Sequence, residues 1–420
     1  HEMNEILSFW AQWLRPSAGL PTVQWSLLLA VAAIAGYLCQ RHTGLPKVVG
    51  YSLVGTAAGL AGFSGAVWPL QGIGLFLLEL GISIVLFECG GRIPLRWFRH
   101  NPMVLVQSMA ESALTYFAVY WVLVWLDMPA HVAGPLALVA LAASPAVLTR
   151  VVADTRAAGP VTERAIVLAT LSTLYALTLG SARAEQINRQ SVTLLDTMYP
   201  VVVVLGVSII VAAVLSLALR MALRFMSPTS ENTSMLLLAL IAAATAVAAH
   251  MGGSAPLAAL LGGMLLKQLN PRPWAWPRQL GNASSLLTML MFVLVSTVAA
   301  QADWSGPVVG VVLTLIAVRL AAKAVGVGLG NVGSGASWRQ ALWVGCAMTP
   351  MSSIALLIAS QFVVASPSTG HLIARVALPA ILLMEVLGAV IATVAIYRAG
   401  ESSKPWAPLS RGGNGDRSES

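Results

Sequence analysis

Long apolar stretches separated by short polar loops make up almost the whole of this chain. They fall at about 24–40, 46–63, 71–91, 102–126, 130–152, 161–182, 193–224, 233–250, 254–268, 282–300, 306–330, 338–362 and 371–397. A helix that crosses a bilayer needs about 20 apolar residues. The pattern therefore predicts an all-α membrane protein of about 13 transmembrane helices; the run at 254–268 is short and Gly-rich. Residues 1–23 form an N-terminal segment in which His1-Glu2-Met3 read as preceding the native start. Within it, residues 4–15 carry Trp10 and Trp13 and are too short to span, so an interfacial helix is expected. Residues 24–400 form the transmembrane domain, and the Gly-, Ser- and Pro-rich stretch 401–420 is expected to be a disordered cytoplasmic tail.

Composition supports the same solvent. Of 420 residues 57% are hydrophobic and only 10% charged, too few charges to cover a soluble domain of this length. The net charge of +8 does not indicate nucleic acid, because its placement follows the loops. Arg41, Lys47, Arg92, Arg96, Arg99, Arg150, Arg156, Arg164, Arg220, Arg224, Lys267, Arg272, Arg278 and Arg339 lie on one side of the predicted crossings. The tail adds Arg398, Lys404, Arg411 and Arg417; the opposite side holds only Arg15, Arg183 and Arg189. This asymmetry predicts an outside N-terminus and a cytoplasmic C-terminus in a bacterial-type inner membrane. Cys39, Cys89 and Cys346 show no disulfide or metal spacing and read as packing residues. Trp68, Trp125, Trp304 and Trp343 read as interfacial anchors, and His250 as an ordinary loop histidine.

Two apolar runs have a helix breaker at their centre: Ser144-Pro145 in the fifth and Thr349-Pro350 in the twelfth. These are equivalent positions if helices 1–6 and 8–13 form an inverted repeat. A matched pair of interrupted helices points to a transporter with its site at the bilayer midplane.

LPKVVGYSLVGTAAGL (45–60), LLELGISIVLFECGG (77–91), SAPLAALLGGMLL (254–266), RLAAKAVGVGL (319–329) and MTPMSSIALLIA (348–359) resemble the second, third, ninth, eleventh and twelfth helices of the monovalent cation:proton antiporter superfamily, in its Kef/NapA-type branch. The resemblance runs from about residue 25 to 397. It implies two crossing broken helices, a dimerisation panel from helices 1–3 and 8–10, and a mobile core from helices 4–6 and 11–13. It also implies a homodimer in the lipid bilayer that carries a cation one way and protons the other.

That branch carries two adjacent aspartates in the sixth helix. Here the segment reads ATLSTLYALTLG, with Ser172 and Thr173 at those places. A carboxylate offsets the dehydration of a bare cation and lets protons compete for the site, whereas a hydroxyl coordinates without titrating near neutrality. The eleventh helix keeps a lysine, Lys323, with Arg319 one turn earlier. Two buried cations need anions, and Glu385, Glu111, Glu79 and Glu88 are the candidates, Glu385 first because symmetry sets helix 13 opposite helix 6. Glu88 is also placed to pair with Arg92, and Arg375 belongs to the outer interface. The expected binding residues are thus Ser172, Thr173, Ser144, Pro145, Thr349 and Pro350. The expected buried charge network is Lys323, Arg319, Glu385, Glu111 and Glu79.

The leading function is secondary exchange of Na⁺ or K⁺ for H⁺, with Glu385 taking the proton. The alternatives are transport of an anionic or organic solute at a net-positive site, and a transport-inactive membrane subunit or sensor. No phosphate-cradling loop, metal-ligand cluster or nucleophile motif points to an enzyme, a cofactor or a metal.

Overall fold

The computed structural model describes residues 2–13, 20–63, 66, 68–70, 72–188, 193–270 and 278–404. Arg15, Arg189, Arg272, Arg411 and Arg417, and the tail from 405 onward, lie outside the described residues. Among the described residues seventeen helices follow one another. They are α1 (Glu2–Trp13), α2 (Leu20–Thr43), α3 (Lys47–Leu60), α4 (Ile73–Gly91), α5 (Leu95–His100) and α6 (Pro102–Trp125). Next come α7 (Ala130–Leu141), α8 (Pro145–Thr155), α9 (Pro160–Gln186), α10 (Leu194–Phe225), α11 (Glu231–His250) and α12 (Ala255–Leu269). The last are α13 (Arg278–Ala300), α14 (Gly306–Leu329), α15 (Trp338–Ala347), α16 (Ser353–Ala365) and α17 (Pro367–Arg398).

Eight of the crossings are long and apolar enough to span a membrane by length and composition, and three shorter apolar helices join them. α6 is not among them, because its buried face carries Gln107, Ser108, Glu111, Ser112 and Thr115. With α7–α8 and α15–α16 each taken as one interrupted helix, and with the short α1 and α5 set aside, thirteen crossings result. On α1, Met3, Ile6 and Leu7 are exposed.

The two interruptions fall at the expected prolines. α7 ends at Leu141 and α8 restarts at Pro145, with Ser144 as its N-cap accepting from the Val147 amide. Proline suits the first helical position because its missing N–H has no intrahelical partner there anyway. α15 ends at Ala347 and α16 restarts at Ser353, leaving Met348–Ser352 outside any helix.

Packing sorts the crossings into two groups. In the first, α4 packs on α12, α3 on α2 and α13, and α11 on α12. In the second, α14 packs on α6, and α7, α9, α15, α16 and α17 close around the breaks. α10 runs between them, against α9, α11 and α12. The seam is formed by α17 on α3 and α13, and by α8 on α3 and α4. Two polar ties cross it at one end: the Lys47 amide donates to Asp154 Oδ2 at 3.0 Å, and Arg150 Nη2 to Ser285 Oγ at 3.0 Å.

Glu401 and Ser403, expected within a disordered tail, are held against the helices. Glu401 accepts hydrogen bonds from the Val161 and Thr162 amides at 2.8 and 3.0 Å, and Ser403 donates to the Arg156 carbonyl. The first amides of a helix lack partners and favour a negative charge, so α9 holds this carboxylate in place.

Candidate functional site

α6 and α14 approach closely because Gly326 has no side chain; a β-carbon there would stand 2.5 Å from the Glu111 Cα. One turn before Gly326, Lys323 therefore meets Glu111. Lys323 Nζ lies 2.6 Å from Glu111 Oε1, and both side chains are fully buried. The Glu111 carboxylate also accepts from Ser172 Oγ at 2.7 Å, from Ser112 Oγ at 3.2 Å and from Thr115 Oγ1 at 3.3 Å. Lys323 donates in addition to the Leu141 carbonyl, at the end of α7.

Arg319, on the same face of α14, binds no carboxylate among the described residues. Its guanidinium donates to the carbonyls of Ala140 and Ala142 at 2.7 and 2.9 Å, and to that of Thr349 at 2.6 Å. These carbonyls are freed where α7 and α15 stop, so one side chain fastens both interruptions. Helix C-termini also attract positive charge, and Arg319 and Lys323 both sit there. A planar fork with five donors is suited to bridging two strands of unwound backbone.

Glu385, expected to balance these cations, does not. It is fully buried on α17 and touches three hydroxyls: Ser52 on α3, Ser296 on α13 and Ser352 in the second interruption. Its side chain instead turns to the seam between the two groups. Gly388, one turn on, permits this, because a β-carbon there would stand 2.5 Å from the Pro350 Cα.

Of the other expected residues, Ser172 joins the site through Glu111, whereas Thr173 donates back to the Ala169 carbonyl of its own helix. Ser144 and Pro145 cap and start α8, and Thr349 contributes its carbonyl while its hydroxyl bonds Cys346. Pro350 packs against α17 at Gly388. Glu79 stands apart from the ion pair, in a cleft of about 290 Å³ between α4, α9 and α16 that also holds Glu185, Ser360 and Gln361. A larger cavity of about 500 Å³ is mostly apolar; it reaches Ser112 and Leu141 at one part of its wall and Arg183 and Gln186 at another. Glu88 pairs with Arg92 at 3.7 Å and Arg375 with Asp303 at 3.4 Å, both partly exposed.

Sequence reasoning did not single out Ser52, Ser296, Ser352 and Ser353. The Ser353 hydroxyl, at the start of α16, is buried without a hydrogen-bond partner among the described residues. Among those residues no cluster of three or more His, Cys, Asp or Glu is placed to hold a metal ion.

The family model of the transmembrane sodium/hydrogen exchangers matches residues 29–398. No curated protein matches the chain. Among solved structures, that of the sodium proton antiporter MjNhaP1 from Methanocaldococcus jannaschii at pH 8 is similar over 89% of this chain and all of its own, with a TM-score of 0.67 at 12% identity. A second structure of that protein, from electron microscopy, covers 93% of this chain and all of its own, with a TM-score of 0.68 at 16% identity. At such identities the likeness is one of fold.

Proposed function

Because this chain belongs to the family of transmembrane sodium/hydrogen exchangers, we propose that it exchanges Na⁺ or K⁺ for protons through the buried Glu111–Lys323 pair. That pair carries the proposal: a carboxylate from α6 is bonded to Ser172 and to a lysine that also holds the Leu141 carbonyl at the first interruption. In this reading Ser172 and Thr173 replace the aspartates of α9, and the negative charge has moved across to the neighbouring helix. One buried carboxylate cannot neutralise two positive charges, so an entering cation and the Lys323 ammonium compete for it. Glu111, the hydroxyls of Ser172, Ser112 and Thr115, and the Leu141 carbonyl form the oxygen set for that cation. The cleft with Glu79 and Glu185 concentrates cations at the seam.

In the same reading the first group of helices is the dimerisation panel of a homodimer, and the second is the core that moves against it. The N-terminus lies outside and the C-terminus in the cytoplasm of a bacterial-type inner membrane. Transport of an anion is the less favoured reading, since the Arg319 donors are taken by carbonyls and Lys323 is engaged by Glu111.

The test is flux in proteoliposomes. A Na⁺ or K⁺ gradient is expected to drive protons the other way, and Glu111→Gln to abolish the movement. Wild-type silence with both ions would overturn the proposal in favour of a transport-inactive subunit.

A further inference from the structure

The hydroxyl cradle around Glu385 encloses a fully buried carboxyl that no salt bridge reaches among the described residues. Ser52, Ser296 and Ser352 each lie within hydrogen-bond distance of its carboxyl oxygens, and Ser296 Oγ also bonds the Phe292 carbonyl at 2.8 Å. Ser296 has a single hydrogen for the two oxygens, so it either shares that hydrogen or leaves one contact to a proton on the carboxyl. A carbonyl supplies none, and a proton on the carboxyl satisfies all four contacts at once. In that protonated arrangement Ser296 donates to Phe292, and Glu385 donates to Ser296 and accepts from Ser52 and Ser352.

The charges around it agree. Among the described residues no salt bridge reaches Glu385. On α14, Arg319 and Lys323 are engaged with carbonyls and Glu111. On α8, Arg150 holds Ser285 and Asp154 holds the Lys47 amide; α3 adds Lys47 and Tyr51, α15 Arg339 and Cys346, and α7 the exposed His131. On α17 itself, Arg375 pairs with Asp303, while His371, Tyr397 and Arg398 stand near its ends. A fully buried carboxylate without a cation is costly, and protonation removes that cost.

We propose that Glu385 is a proton-binding site on the seam, and that its proton is the one exchanged. The site joins both groups of helices: Ser52 and Ser296 belong to one, Glu385 and Ser352 to the other. Sliding along the seam separates the carboxyl from two of its three partners. The O–H bond then breaks and the proton passes to water on one side; it is re-formed with a proton from the other. Inside the cradle, Ser296 accommodates either state by turning its one hydrogen from Phe292 to Glu385. The exchange reading supplies the use of this proton; its presence stands independently.

Infrared spectroscopy of the full chain in lipid at neutral pH tests the proposal. The carbonyl stretch of a protonated carboxyl is expected in the wild type, lost in Glu385→Gln and kept in Glu111→Gln. Glutamine offers a donor and an acceptor in the same shape, so Glu385→Gln is expected to melt as the wild type does. If Glu385→Gln removes no such band, Glu385 is ionised or holds a metal cation, and the proposal fails. Should that variant not fold, Ser296→Ala is expected to shift the frequency of the same band, and an unmoved band overturns the assignment. In vesicles Glu385→Gln is expected to lose cation-driven proton flux; flux that survives would overturn the carrier role. A wild type with the band but no flux would refute the exchange reading while leaving the bound proton in place.

Discussion

Lys323 and Glu111 are two full charges with no exposed surface, and their value to the protein lies in being together. Removing one partner of a buried pair typically costs about 3–5 kcal/mol, because the other charge is stranded, whereas replacing both is far milder. Lys323→Met and Glu111→Gln are each expected to lower the melting temperature sharply, and the double variant to recover most of the loss in a double-mutant cycle. Additive losses would show that the two residues act separately. Ser172→Asp makes the opposite test, setting a second carboxylate beside the first in place of a hydroxyl 2.7 Å away. Like charges at that range cannot both ionise without a counter-ion. Melting of this variant is therefore expected to become strongly dependent on Na⁺ or K⁺, where the wild type depends on them only weakly.

At the scale of elements, the two interruptions depend on one guanidinium. Three carbonyls from two broken helices converge on Arg319. A buried acceptor left unsatisfied costs about 1–3 kcal/mol, so Arg319→Gln is expected to open both breaks. Hydrogen-exchange mass spectrometry checks this: exchange should rise together around 142–148 and 349–356, where the amides beside the breaks lie. A rise in one stretch alone would mean that Arg319 fastens only that one. Glu401→Ala removes the carboxylate that caps α9. Loss of an N-cap side chain costs about 1 kcal/mol, so a small fall in melting temperature is expected, with faster exchange confined to the first turn of α9.

Over the whole molecule, any exchange by movement of one group of helices against the other must break the ties across the seam. Lys47–Asp154 and Arg150–Ser285 fasten one end of it. In a chain with Cys39, Cys89 and Cys346 replaced, Arg150→Cys and Ser285→Cys joined by a cleavable thiol cross-linker are expected to stop flux, and reduction to restore it. Full flux with the bridge in place would rule out sliding at this seam.

The chain on its own determines the solvent, the number of crossings and the place of both interruptions. Apolar length reads directly as a membrane span, and a proline in an apolar run removes a donor and clashes with the preceding turn wherever it stands. Lys323, Arg319, Glu111 and Glu385 were legible as a set for a similar reason: an ionisable residue inside a membrane is costly enough to need a partner. Which of them pair was not legible. Choosing between Glu111 and Glu385 for Lys323 depends on side chains 212 and 62 positions away, and on Gly326 and Gly388 letting particular helices touch. The same holds for Ser52, Ser296 and Ser352: serine is common in membrane helices, and nothing local distinguishes one facing a carboxyl across the seam from one bonded to its own helix. Tertiary packing alone decided that Arg319 serves the backbone, Lys323 serves Glu111, and Glu385 is left among hydroxyls.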